Sequence, residues 1–112
     1  MNDELAALLR HARIERLHAD YCASLDEDRL EDWPQLFTAD GVYRMVSREN
    51  HAQGYPIPLL FLDGRDMMID RIQSLRTANI YQPHRYRHAT SGLRILATHA
   101  DHIETSASFI VV

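Results

Sequence analysis

His84, Tyr86 and His88 occupy alternate positions of one β-forming run, so in extended chain they project to one face, with Arg85 and Arg87 on the other. Two imidazoles on one face could ligate a metal, but the neighbouring sequence offers no obvious third ligand. The favoured reading of this cluster is structural. The arginines pair with carboxylates of a neighbouring chain, and the histidines are hydrogen-bonded inside the fold. A different chemistry would join residues far apart in the sequence. With His88 as general base, Asp26 to orient it and Tyr21 to polarise a carbonyl, an apolar pocket could remove a proton from a carbon acid, burial tuning the base toward neutrality. The plainer alternative is that Tyr21 and His88 are buried with satisfied hydrogen bonds while Asp26 caps a helix.

Other chemistry-bearing residues give weaker patterns. Cys22 is the single cysteine, so an internal disulfide, a four-thiolate zinc site and an iron–sulfur cluster held within this chain are excluded by counting. Its apolar helical surroundings read as those of a small buried hydrophobe. His11 and His18 lie seven apart with no third ligand nearby. Asp26, Glu27, Asp28, Glu31 and Asp32 lack the glycine and spacing of a calcium loop and read as a solvated corner favouring the start of a second helix. His51, His99 and His102 fall in or near loops and carry no signal. Met67-Met68 reads as core packing, and Trp33 with Phe37 as aromatic anchors four apart on a helix.

The elements that must position these groups follow from periodicity. Leu5, Leu8, Leu9, Ala12, Ile14, Leu17, Tyr21 and Leu25 recur at helical spacing, predicting a long amphipathic helix from Asp3 to about Leu25. A short helix is expected around Leu30, Trp33, Leu36 and Phe37, with Pro34 in its first turn. Asp40-Gly41 signals a turn into a strand at Val42 to Val46, followed by a loop from Ser47 to Pro58 and a short strand at Leu59 to Leu62. After Asp63-Gly64 a helix places Met68, Ile69, Ile72 and Leu75 on one face and Arg65, Asp66, Asp70, Arg71 and Arg76 on the other, ending near Asn79. Extended chain then runs from His84 through Leu96 with a bulge or bend at Gly92, turns at Asp101-His102, and resumes from Ile103 to Val112. The order is that of an α+β fold, expected as a curved antiparallel sheet wrapped around the long first helix. Because domains seldom close on an apolar run such as Phe109-Ile110-Val111-Val112, the sequence reads as cut short.

With 112 residues, 12 Lys and Arg against 16 Asp and Glu, 46% hydrophobic and 25% charged, the chain reads as one soluble domain over residues 1–112. No window approaches the ~18 apolar residues of a membrane span, and Met1-Asn2-Asp3-Glu4 opens no signal peptide, so a cytoplasmic protein is expected. The net charge of −4 supplies no electrostatic footprint for nucleic acid.

Four blocks in order add a specific likeness. Trp33-Pro34-Gln35-Leu36-Phe37-Thr38-Ala39-Asp40-Gly41-Val42-Tyr43-Arg44, Ser47-Arg48-Glu49-Asn50, Asp70-Arg71-Ile72-Gln73-Ser74-Leu75-Arg76 and Arg85-Tyr86-Arg87-His88 resemble the small (β) subunit of aromatic-ring-hydroxylating dioxygenases. Ala78-Asn79-Ile80-Tyr81, leading into the last block, is similar to the terephthalate, salicylate and anthranilate branch. The resemblance implies an NTF2-like (cystatin-like) cone without the family's last strands. It also implies a structural, non-catalytic role beside a large α subunit that carries a Rieske 2Fe-2S cluster and a mononuclear iron, typically as three large and three small subunits. One cysteine cannot supply the thiolates of such a cluster, so no cofactor or metal is expected in this chain. Arg44, Arg48, Glu49, Asn50, Arg71, Arg85 and Arg87 are then the interface candidates. The same cone also serves standalone dehydratases and isomerases of the scytalone dehydratase or SnoaL type, for which Tyr21, Asp26 and His88 would be catalytic, and a third, weaker reading is a ligand-binding homodimer with no chemistry.

Overall fold

Asn2 accepts the Leu5 backbone N–H on its side-chain oxygen at 2.8 Å, and Asp3 and Glu4 follow in the first turn, so α1 (Asp3–Asp26) starts with a capped, dipole-matched N-terminus. It ends where Asp28 takes a left-handed φ of 58°, a conformation Asp tolerates better than most residues. The computed structural model describes residues 2–52, 54, 58–78 and 86–112, with backbone alone at Asn50 and His51. The chain divides into two compact units, Met1–Arg29 with His84–Val112, and Leu30–Pro83.

In the first unit α1 packs against β3 (His88–Thr98), which pairs antiparallel with β4 (Ile103–Val111). Gly92 sits at a φ of 68° where the register slips between Ser91 and Arg94, the expected bulge. A second slip, between Ile95 and Ala97, had no glycine to announce it. The strand was expected from His84. β3 begins at His88, with Arg87 and Val112 adding a reciprocal pair at 3.2 and 3.0 Å, while His84 and Arg85 lie outside the described residues. Ser24 is the one buried residue described in this unit, its hydroxyl donating to the Tyr21 carbonyl at 2.8 Å. Leu5, Leu8, Leu9 and Leu17 on the helix are exposed, as are Leu96, Phe109, Ile110 and Val112 on the hairpin.

The second unit builds a core. The expected short helix is instead two 3-10 turns, Leu30–Asp32 and Pro34–Leu36. Pro34 has no N–H to continue a helical ladder, so the segment closes through i to i+3 bonds such as Trp33 N–H to Leu30 C=O at 3.2 Å. β1 (Val42–Met45) pairs antiparallel with β2 (Leu60–Asp63), and the stretch expected as loop contains a short helix, α2 (Arg48–Ala52). Arg48-Glu49-Asn50 is too brief a run to show helical periodicity. α3 (Arg65–Ala78) buries Met68 and Ile72, while Leu75, expected on the same face, is 40% exposed. Trp33 sits edge-on to Phe37 at 5.0 Å and to Tyr43 at 5.2 Å, making an aromatic corner across the turns and β1. Gly64, at a φ of 97°, lets its N–H reach the Gly41 carbonyl at 2.8 Å and start α3. No described helix is long and apolar enough to cross a membrane.

Candidate functional site

Asp26 is the last residue of α1 and His88 the first of β3, and the structure brings them together. The His88 ring Nδ1–H donates to Asp26 Oδ1 at 2.5 Å, and the His88 backbone N–H donates to Asp26 Oδ2 at 2.8 Å. Both carboxylate oxygens are thus used by one residue, and both side chains are only 13% exposed. Burial alone would raise the Asp26 carboxyl. The two hydrogen bonds from His88, with the charges of His88 and Arg87, outweigh burial and hold it below its ordinary value. Asp26 therefore orients the imidazole, as the carbon-acid reading requires, but it does so as a bidentate pin between a helix end and a strand start. It leaves the solvated acidic corner predicted for it and caps no helix.

Tyr21 is half-buried on α1, five residues before Asp26. The cavity formed along α1, of about 550 Å³, is lined by Leu9, Arg10, Arg13, Ile14, Leu17 and Ile103 among others, and by none of Tyr21, Asp26 and His88. Cys22 is half-buried, and its thiol is pushed up by burial and then by the Asp26 charge, which favours the protonated form. Of the interface candidates, Arg44, Arg48, Glu49, Arg71 and Arg87 are exposed, on β1, α2, α3 and the approach to β3. Arg85 and the Asn50 side chain lie outside the description.

Three arrangements went unseen in the sequence. Arg65, expected on the solvent face of α3, is half-buried and its Nε–H donates to the Phe37 carbonyl at 3.0 Å, tying the helix start to the aromatic corner. Glu31, expected in a solvated corner, pairs with Arg76 through two bonds of 2.8 and 3.0 Å, and the Arg76 hydrogen bond chiefly lowers its carboxyl. At the β3–β4 turn, dismissed as silent, His99 and His102 stack at 4.3 Å with Glu104 beside them. The detectable signal there was His-x-x-His-x-Glu spanning a two-residue turn between strands.

Comparison with known proteins adds identity to geometry. The family model described as ring hydroxylating beta subunit matches residues 21–112. The anthranilate 1,2-dioxygenase small subunit of Burkholderia cepacia is 44% identical over 88% of this chain and 62% of its own length. A terephthalate 1,2-dioxygenase terminal oxygenase component subunit beta of a Comamonas species is 37% identical over 94% of this chain and 68% of its own. A crystal structure from Novosphingobium aromaticivorans, the β subunit of a candidate aromatic-ring-hydroxylating dioxygenase, superposes with a TM-score of 0.86 at 34% identity, covering 95% of this chain and 67% of that one.

Proposed function

We propose, from the premise that this chain belongs to the ring-hydroxylating β-subunit family, that it acts as the structural, non-catalytic small subunit of a multicomponent Rieske non-haem iron dioxygenase. Its fold is α+β, of the NTF2-like type. The complete enzyme would hydroxylate an aromatic acid with O2 and NAD(P)H in aromatic compound catabolism, in the cytoplasm. The partner is a large α subunit, in an assembly of three large and three small subunits.

The observation that carries this reading is the family match over residues 21–112 joined to a donor count. A Rieske cluster takes two thiolates and two imidazoles, and this sequence has one cysteine, half-buried in α1. The residues present do not fit that cluster, so no electron-transfer step through it is placed in this chain. Its contribution is to hold large subunits in a ring so that electrons can pass between neighbouring metal centres. Residues 1–112 would act as one domain whose exposed Arg44, Arg48, Glu49, Arg71 and Arg87, together with Asn50 and Arg85, meet neighbouring subunits. Arginine suits that task because its planar fork binds carboxylates through two parallel bonds. A standalone dehydratase using Tyr21, Asp26 and His88 is not favoured, since the relatives are dioxygenase small subunits.

Native purification with simultaneous size analysis and metal quantification tests the proposal. An iron-containing hetero-oligomer holding large and small chains in equal number is expected. A protein that purifies as an iron-free monomer or homodimer would overturn it.

A further inference from the structure

We propose that the tip of the β3–β4 hairpin is a divalent-cation site of the zinc class, formed by His99, His102 and Glu104. The topology itself makes the cluster. Thr98 pairs with Ile103, so His99 and His102 face each other across the two-residue turn, and the His99 N–H donates to the His102 carbonyl at 2.8 Å. Opposed residues of a hairpin share a face, and Glu104 lies two residues beyond His102 on that same face. One donor atom from each of the three lies within 4.8 Å of the others.

The separations approach those of a bound ion. Two donors at about 2.1 Å from one tetrahedral zinc stand about 3.4 Å apart. His99 Nε2 and Glu104 Oε2 are 3.6 Å apart, so this pair needs almost no rearrangement. The Nδ1–H of His102 donates to Asp101 Oδ1 at 2.7 Å, which fixes the tautomer with Nε2 free to ligate. This is the carboxylate–histidine–metal arrangement in which the outer carboxylate orients the ring and raises its basicity. Two imidazoles and a carboxylate suit zinc among the abundant divalent ions, and three protein ligands leave a fourth position for water or a donor from a neighbouring chain. The same donor types serve iron in oxygenases. Here they are 45% (His99), 56% (His102) and 57% (Glu104) exposed at a hairpin tip, so an ion bound there clips the turn from the solvent side.

The test is a zinc titration of the natively purified protein against a chromophoric chelator, alongside its His99→Ala/His102→Ala, Glu104→Gln and Asp101→Asn variants. The wild type should take up one Zn2+ per small chain beyond the assembly's own iron, and the double variant should lose that uptake. Glu104→Gln should weaken it at least about tenfold, and Asp101→Asn by about 10- to 100-fold. Zinc should raise the melting temperature of the wild type and leave the double variant unmoved. Because these side chains are exposed, the metal-free melting temperatures of wild type and double variant should coincide, which separates lost ligation from lost folding. The same stoichiometric uptake in the double variant, or no saturable uptake by the wild type, would overturn the assignment.

Discussion

The two units are stabilised by different means. Leu30–Pro83 buries Trp33, Pro34, Leu62, Met68 and Ile72 and ties Arg65 to its aromatic corner. Met1–Arg29 with His84–Val112 buries Ser24 alone among its described residues, leaves Leu8, Phe109, Ile110 and Val112 exposed, and joins the end of α1 to the start of β3 through the Asp26–His88 pair. The apolar side chains of the helix and hairpin stand in water in a chain that spans 62% of the length of one curated relative and 68% of another.

The contrast breaks most visibly at the aromatic corner. Trp33→Ala, which removes a ring only 5% exposed and in contact with Phe37 and Tyr43, should cost about 3–5 kcal/mol in chemical denaturation. Asp26→Ala should cost about 1.5–3 kcal/mol, because it strands two donors of His88 in a nearly buried place. The same pair sets a pH dependence of known sign. The folded carboxyl of Asp26 lies below its unfolded value of about 3.9, so the stability it adds is complete above that value and is lost as pH falls through the folded pKa. Denaturation curves collected between neutral and acid pH should show that limb in the wild type and lack it in Asp26→Asn. At the exposed interface candidates, Arg48→Ala and Arg71→Ala should change stability by no more than about 0.5 kcal/mol yet reduce the assembled mass measured by light scattering. Smallest of all, Arg76→Ala should cost up to about 1 kcal/mol, fading at high salt, because the Glu31 pair it removes is exposed.

The elements with long, clear periods were readable in advance. Eight apolar positions at helical spacing announced α1 to within one residue, and Gly92 marked its bulge. Local chemistry defeated the rest. Pro34 at the start of a turn permits a helix but equally permits 3-10 closure, and only the competing i to i+3 bonds decide. The junction of Asp26 with His88 was readable as a possibility because both types suit each other, but the bidentate use of the carboxylate depends on a backbone N–H that no side-chain pattern reveals. Arg65 looked solvent-facing because charge was read as exposure, whereas its guanidinium had a carbonyl to satisfy it. The His99, His102 and Glu104 cluster depends on register, and register across a turn emerges only when the strands are paired.

On this reading the chain contributes architecture and no chemistry. The deciding measurement is turnover of an aromatic acid per assembled complex, with the large subunit and its electron donor present, for wild type, Asp26→Asn and His88→Asn. Whatever fraction of each variant assembles should turn over at the wild-type rate. A variant that assembles to full mass and full iron content yet loses turnover tenfold or more would contradict it, because Asp26 and His88 would then be taking part in the reaction.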